Sequence, residues 1–91
     1  MTPRQRTLAR HALGLPNSLM RSYRNRFVAA YSWRGDFDQW AEMTLQGYAE
    51  MARAKTPSGM YRFWLTPKGA AKALDPGETL CPEDFPMKET G

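Results

Sequence analysis

The chain has little of several residue types that mark particular classes of protein. It contains one cysteine, Cys81, and one histidine, His11, so it can form neither an internal disulfide framework nor a usual four-ligand zinc site. No run approaches the length of a membrane span, about 18 consecutive apolar residues, and the first residues lack the apolar stretch of a secretory signal. These absences predict a soluble, cytoplasmic protein that binds no metal and no cofactor.

The usual signatures of catalysis are also missing. The sequence has no glycine-rich phosphate loop and no recognisable nucleophile motif beside His11. Cys81 lies in an acidic, proline-rich stretch, without the basic neighbours that activate a thiolate. We therefore predict a protein that is not an enzyme.

The first third of the chain has no acidic residue. Residues 1–34 contain seven arginines, whereas residues 35–91 contain six basic and nine acidic residues, which gives the net charge of +4. Arginine presents a planar guanidinium suited to phosphate or carboxylate, and uncompensated like charges repel one another. The pattern favours an anionic partner, either nucleic acid or an acidic protein surface. The alternative is a solvated face whose arginines pair with acids of this same chain, such as Asp36, Asp38 and Glu42.

A helix is predicted at the start of the chain. Thr2 and Gln5 have the spacing of a capping box, Pro3 suits the first helical turn, and Gly14 suits the end of the helix. At about 100° per residue, the arginines at positions 4, 6 and 10 lie opposite the apolar side. The helix therefore presents a basic outward face.

The rest of the chain alternates between short predicted elements. A helical spacing and a strand alternation compete in residues 17–35, and we expect a short helix near 18–24 followed by extended chain from Phe27. The remaining elements are a helix over 36–46 capped by Asp36, strands over 48–54 and 60–65, a helix over 68–74 after Thr66-Pro67, and an acidic, proline-rich tail over 75–91.

Large apolar side chains in these elements define the expected core. Five residues of the helix 36–46 fall on one side and predict a buried stripe, namely Phe37, Trp40, Ala41, Thr44 and Leu45. Tyr61 and Phe63 alternate with other side chains along a predicted strand. We expect these two residues to be buried together with the aromatic residues of the stripe.

The second half of this pattern resembles a winged-helix domain. In that family a helix ends at a glycine, a hairpin wing follows, and the second wing strand runs into a Leu-Thr-x-x-Gly-x-x-x-x-Leu segment. Over residues 36–74 the corresponding features are Gly47, the strand 60–65, Leu65, Thr66, Gly69 and Leu74. The resemblance implies an α+β fold, a small winged-helix-like single domain over residues 1–74 with a two- or three-stranded antiparallel sheet, followed by the tail.

In this resemblance the helix 36–46 takes the place of the family's DNA-recognition helix. Its outward Asp38 and Glu42 would face phosphates and repel them, so we do not expect this helix to read DNA. The segments 13–15 and 23–27 are also similar to small phage and prophage proteins.

We predict a non-enzymatic nucleic-acid-binding module of winged-helix type that uses an arginine-rich N-terminal face. The residues predicted to contact nucleic acid or an acidic partner are Arg4, Arg6, Arg10, Arg21, Arg24, Arg26 and Arg34, with Arg53 and Lys55 of the wing. The alternative is a small phage-encoded interaction or inhibitor protein that docks on a host protein through Tyr31 and Trp33. We expect a monomer or a small homo-oligomer.

Overall fold

The structure is a computed structural model that describes residues 1–32 and 34–85. Its elements along the chain are helix α1 (Pro3–Leu13), strand β1 (Phe27–Ala29), helix α2 (Asp36–Leu45), strand β2 (Ala49–Met51), strand β3 (Tyr61–Leu65) and helix α3 (Pro67–Ala73). The three strands form one antiparallel sheet in the order β1-β3-β2. The α+β fold predicted from the sequence is confirmed.

Helix α1 begins and ends as its capping residues predict. The Thr2 hydroxyl accepts a hydrogen bond from the backbone N–H of Gln5 at 3.1 Å, and the Gln5 side chain accepts one from the backbone N–H of Thr2 at 3.0 Å. Gly14 follows the helix with a φ of 80°, a conformation that favours glycine. These local bonds satisfy backbone groups that the helix leaves without partners.

The short helix predicted near residues 18–24 is wrong. The Asn17 side chain accepts a hydrogen bond from the N–H of Leu19 at 3.0 Å and donates one to the carbonyl of Arg21 at 2.8 Å. Such local bonds from an asparagine side chain replace the helical ladder and favour a turn. The extended chain expected from Phe27 is confirmed as β1.

Helix α2 differs from its prediction in its N-cap residue and in the exposure of Leu45. Asp36 is its first residue, and the N-cap position is occupied by Gly35, which has no side chain to cap the helix. Trp40 and Met43 are fully buried, whereas Leu45 is 89% exposed. Leu45 lies about 160° around the helix from Met43, at 3.6 residues per turn. The predicted buried stripe is therefore wrong for Leu45, because the core-facing direction is set by Trp40 and Met43.

The core lies between the sheet and the helices. Phe63 is fully buried, as is Trp40, and their rings stack with centroids 5.6 Å apart. Phe37 and Tyr61 are partly buried and pack against the same cluster. These contacts confirm the expected aromatic core, with Phe37 and Tyr61 at its margin.

The sheet has one face toward this core and one toward solvent. Phe27 lies opposite Phe63, and Val28 lies opposite Arg62. Because residues directly opposite in an antiparallel pair share a face and successive residues alternate, Val28 and Arg62 lie on the outer face. Trp64, two residues beyond Arg62, lies on that face as well.

Helix α3 packs closely on the start of β2. Thr66 caps the helix by accepting a hydrogen bond from the N–H of Gly69 at 3.2 Å, and its own N–H donates to the carbonyl of Tyr48 at 3.1 Å. A Cβ at Gly69 would lie 1.9 Å from that Tyr48 oxygen. Position 69 therefore requires glycine for space.

Replacing Gly69 by alanine is expected to lower the free energy of unfolding by about 1–3 kcal/mol, the usual cost of overpacking. Helix propensity alone predicts the opposite sign, since alanine in a helix is favoured over glycine by about 0.8–1 kcal/mol. Urea unfolding of Gly69→Ala measures the change. Ala71→Gly, at an exposed position of the same helix, reports the propensity effect alone. A Gly69→Ala variant more stable than the parent would contradict the close contact with Tyr48.

Residues 75–85 lie against the domain. Thr79 forms an isolated parallel bridge with Arg21, and the N–H of Cys81 donates to the Ser22 hydroxyl at 2.8 Å. Leu80 and Phe85 pack against the core cluster. The remainder of the predicted tail, 86–91, lies outside the described residues.

Candidate functional site

The arginines of α1 are paired with carboxylates of the same chain. Arg4 lies 3.4 Å from the Asp36 carboxylate, an exposed pair, and Arg6 contacts Asp75. Exposed pairs of this kind contribute about 0–1 kcal/mol to stability, but each places a negative charge beside the arginine. For these residues the structure therefore favours the alternative raised by the sequence, a face whose arginines pair with acids of this same chain.

Arg10 is the most strongly engaged arginine of this helix. Its side chain is 11% exposed and that of Glu78 is 5% exposed. Nη2 of Arg10 donates to Glu78 Oε2 at 2.8 Å, while Nη1 donates to the carbonyl of Ala73 at 2.9 Å. The hydrogen bond from Arg10 lowers the pKa of Glu78 to about 2, against the opposing effect of burial, and the same bond raises the pKa of Arg10. This pair joins α1 to residues 75–78 and leaves Arg10 unavailable to a ligand.

The depressed pKa of Glu78 makes the stability of the domain depend on pH. A carboxyl group whose folded pKa lies below its ordinary value of 4.5 stabilises the fold above that value and loses its effect as the pH falls toward about 2. We expect the difference in unfolding free energy between the parent and Glu78→Gln to shrink steadily over this range. Urea unfolding of both proteins between pH 2 and pH 7 measures it, and a difference independent of pH would contradict the ion pair.

Two other predicted arginines, Arg24 and Arg26, meet at the carboxyl end of α1. Arg24 donates from Nη2 to the carbonyl of His11 at 2.7 Å, and its guanidinium lies 5.2 Å from the centre of the Tyr23 ring. The backbone N–H of Arg26 donates to the carbonyl of Ala12 at 3.2 Å. These bonds satisfy helix-end carbonyls and bring both arginines next to the exposed His11.

A depression of about 210 Å³ lies between this helix end and β1. Its lining consists of His11, Arg24, Arg26, Phe27 and Val28. Val28 is 40% exposed and lies beside the exposed Arg62 in the sheet register. Arg26 and Arg62 have no carboxylate within 4.0 Å in the part of the chain that the structure describes. The sheet pairing therefore adds a third arginine to the margin of a basic depression.

The outer sheet face continues from this depression toward an aromatic side chain. Trp64 is partly exposed, and its indole N–H donates to the Glu50 carboxylate at 2.8 Å. At the other margin, the Tyr23 ring is 62% exposed. We name the residues His11, Arg24, Arg26, Val28 and Arg62 the β1 basic surface. It has an aromatic residue at either end.

The remaining predicted contact residues lie in other places. Arg21 is exposed and lines a separate depression of about 430 Å³ with Cys81. The carbonyl of Arg34 accepts a hydrogen bond from Arg4 at 3.4 Å. Arg53 and Lys55 are exposed in the β2–β3 loop, where Nζ of Lys55 lies 5.1 Å from the centre of the Tyr61 ring.

The two residues predicted for a protein interface have different outcomes. Tyr31 is 67% exposed and packs on Phe37, with ring centroids 5.1 Å apart. Trp33 lies outside the described residues. The exposure of Tyr31 agrees with the expected loop position, and its interface role stays a prediction.

Sequence reasoning did not select Arg62 and His11 as site residues. Arg62 joins the site only through its pairing with Val28, 34 positions earlier in the chain, and no short-range pattern reports that pairing. The alternation of Tyr61, Phe63 and Leu65 did indicate that Arg62 lies on the opposite face. His11 lies at the end of helix α1, whose C-terminal end was predicted correctly. Its neighbours in the fold, Arg24 and Arg26, come from residues 17–35, where helical and strand patterns competed, so the sequence did not show that they lie beside His11.

The described residues hold neither a candidate metal site nor a helix that could cross a membrane. No group of three or more histidine, cysteine, aspartate or glutamate residues among the described ones is placed to hold a metal ion. Within the same residues, every helix is too short or too polar to cross a membrane.

Comparison with protein-family models, curated proteins and solved structures found no match to this chain.

Proposed function

We propose that the chain is a non-enzymatic nucleic-acid-binding module and that the β1 basic surface contacts the phosphate backbone. The observation that carries the proposal is the convergence of Arg24, Arg26 and Arg62 beside Val28 on one side of the molecule. Guanidinium groups suit phosphate oxygens because their donors are planar and their charge is permanent. An exposed basic strip of this kind supplies sequence-independent affinity.

The aromatic residues at the ends of this surface favour a contact with exposed bases as well as phosphates. The Tyr23 ring lies beside Arg24, and Trp64 lies two residues beyond Arg62 on the same sheet face. Proteins that bind single strands combine a basic track with aromatic rings on which bases stack. We therefore expect single strands to bind at least as tightly as duplex.

Helix α2 is not part of the proposed contact. Asp38 and Glu42 are its charged side chains beyond the paired Asp36, and no lysine or arginine lies on the helix. Helix-turn-helix proteins also use two consecutive helices, whereas the described residues between β1 and β2 contain one. The element order and the β1-β3-β2 sheet are compatible with winged-helix topology, and we propose a winged-helix-like module that docks through its sheet.

Fluorescence anisotropy with labelled oligonucleotides tests this function directly. Three arginine–phosphate contacts predict that the logarithm of the affinity falls with the logarithm of salt concentration, with a slope of about −2.7 for duplex and −2.1 for single strands. Single-stranded and duplex DNA and RNA of one sequence should be titrated from about 50 to 200 mM salt, the range over which such contacts change affinity strongly. An absence of binding at the lowest salt, or affinity that does not change with salt, would contradict the proposal.

The alternative function, docking of a phage-encoded protein on a host protein, is favoured by a different observation. The Tyr31 ring is exposed and packs on the Phe37 ring, and Phe37 lines an apolar groove between α2 and β2. Retention of a partner from host lysate after nuclease treatment, together with no binding to any oligonucleotide, would favour this alternative.

A further inference from the structure

An apolar groove lies between α2 and β2, away from the β1 basic surface. It has a volume of about 270 Å³ and is lined by Phe37, Ala41, Thr44, Leu45, Met51 and Phe63. Leu45 is 89% exposed and Met51 is 41% exposed, so its two sides each expose a large apolar side chain. A partner that covered these side chains would remove their apolar surface from water, which favours association.

The lining of the groove suits apolar protein side chains better than a small molecule. Pockets for small molecules usually present a few placed polar groups that fix the ligand's orientation. Thr44, the groove's one side chain with a polar group, already donates its hydroxyl hydrogen to the carbonyl of Trp40 at 2.9 Å. The groove therefore offers apolar surface without a free polar group that would select a ligand by hydrogen bonding.

The charge beside the groove is negative along α2. Asp38 and Glu42 follow the groove residues around the helix, on the far side of Leu45, and α2 has no basic residue. Two copies of the chain that met through this helix would bring carboxylates against carboxylates, which is unfavourable in an interface. The same carboxylates complement lysine or arginine: Glu42 is exposed, and the partly exposed Asp38 also accepts a hydrogen bond from the backbone N–H of Arg34. The charge at the opposite end of the groove is positive. Lys55 lies there over the Tyr61 ring, whose centroid is 4.9 Å from that of Phe37. The basic residues of a partner would therefore lie at the α2 side of the groove.

We propose that this groove binds a segment of another protein that presents large apolar side chains flanked by lysine or arginine. The apolar side chains would cover Leu45 and Met51, and the basic residues would lie against Asp38 and Glu42. β1 and β2 are the opposite edges of the sheet, so this partner and a nucleic acid on the β1 basic surface would occupy separate sites. The proposal does not depend on the nucleic-acid function.

A synthetic amphipathic peptide provides the test. The probe is a 14-residue peptide of leucine and lysine with helical periodicity, and the matched control has glutamate in place of every lysine. Backbone-amide NMR of the full chain should show saturable shifts at residues 37–45 and 51 with the leucine–lysine peptide and none with the leucine–glutamate peptide. Absence of saturable shifts at millimolar peptide, or shifts centred on another face, would overturn the proposal.

Two matched variants separate groove binding from general stickiness. Leu45→Ser should weaken peptide binding by about tenfold or more, because serine removes the apolar surface that the partner would bury, whereas Leu19→Ser, at another exposed leucine, should leave it unchanged. Glu42→Lys should weaken binding while leaving the fold intact, because Glu42 is exposed; circular dichroism checks this. Equal effects of Leu45→Ser and Leu19→Ser would overturn the proposal. So would a dimer of the parent chain, seen by sedimentation, that Leu45→Ser dissociates, because the occupant would then be a second copy.

Discussion

Replacing Arg26 and Arg62 together by glutamate is expected to weaken nucleic-acid binding about 100-fold at 0.1 M salt. Each phosphate contact contributes about −0.9 to the salt slope on duplex. Between about 1 M and 0.1 M salt, each contact therefore adds about 0.9 powers of ten to the affinity, and the loss of two contacts costs close to two powers of ten. Glutamate adds repulsion to this loss. Neither arginine makes an ion pair in the described part of the chain, so the fold should be unaffected. Anisotropy titrations of parent and variant measure the change.

The control for this variant has the same net charge. Lys68→Glu with Lys72→Glu changes two exposed basic residues of α3 and therefore alters the overall charge by the same amount. We expect this control to lose less than about tenfold, through long-range electrostatics alone. If both double variants lost equal affinity, binding would follow net charge and the β1 basic surface would have no special role.

The second large effect concerns the ion pair that holds residues 75–85 to α1. Glu78→Ala is expected to lower the free energy of unfolding by about 2–3 kcal/mol, because it removes the carboxylate that is hydrogen-bonded to the largely buried Arg10 and leaves only Asp75, at 3.4 Å, as its charged partner among the described residues. Glu78 also accepts a hydrogen bond from the backbone N–H of Asp75 at 2.6 Å, which the variant loses too. A domain of this size has a stability of about 5–14 kcal/mol, so the loss is substantial. Urea unfolding at neutral pH measures it.

Two further variants make this prediction specific. Glu83→Ala removes an exposed acid from the same segment, and we expect a change within about 0.5 kcal/mol. In a double-mutant cycle, Arg10→Ala should cost less once Glu78 is replaced than it does in the parent chain, because, in the part of the chain that the structure describes, only the contacts of Arg10 to the Ala73 carbonyl and to Asp75 then remain to be lost. Additive effects of the two substitutions would show that the pair does not interact.

This ion pair also affects how binding can be tested. Arg10 lies on the face that the sequence predicted for a partner, but a change at Arg10 removes contacts to Glu78 and Ala73. Lost binding in an Arg10 variant would therefore report an altered fold as readily as a lost contact. Arg26 and Arg62 are the better positions for substitution.

Local patterns in the sequence predicted most of the elements. Thr2 with Gln5, Thr66 and Gly14 mark helix ends through hydrogen bonds that span three or four residues, and Pro67 suits the first helical position. Such signals are local in the chain, so they can be recognised without the fold. Where local signals competed, as around Asn17, the prediction of a helix was wrong.

The partners of the arginines could not be predicted in the same way. Arg10 and Glu78 are separated by 68 positions, and their pairing depends on how residues 75–78 return to α1. The exposure of Leu45 has a similar origin, because the packing of Trp40 on Phe63 sets which side of α2 is buried. Charge and hydropathy patterns show which residues are available for contacts, but long-range packing decides which of them meet.

The most direct test of the central claim is the location of nucleic acid on the chain. A short single-stranded oligonucleotide should be titrated into isotope-labelled protein at low salt while backbone amides and arginine Nε–H groups are followed by NMR. We predict the largest shifts at residues 23–28 and 61–64, with the Nε–H signals of Arg24, Arg26 and Arg62 among them. Shifts concentrated at residues 3–10 of α1 or along α2, with residues 23–28 unchanged, would contradict the account.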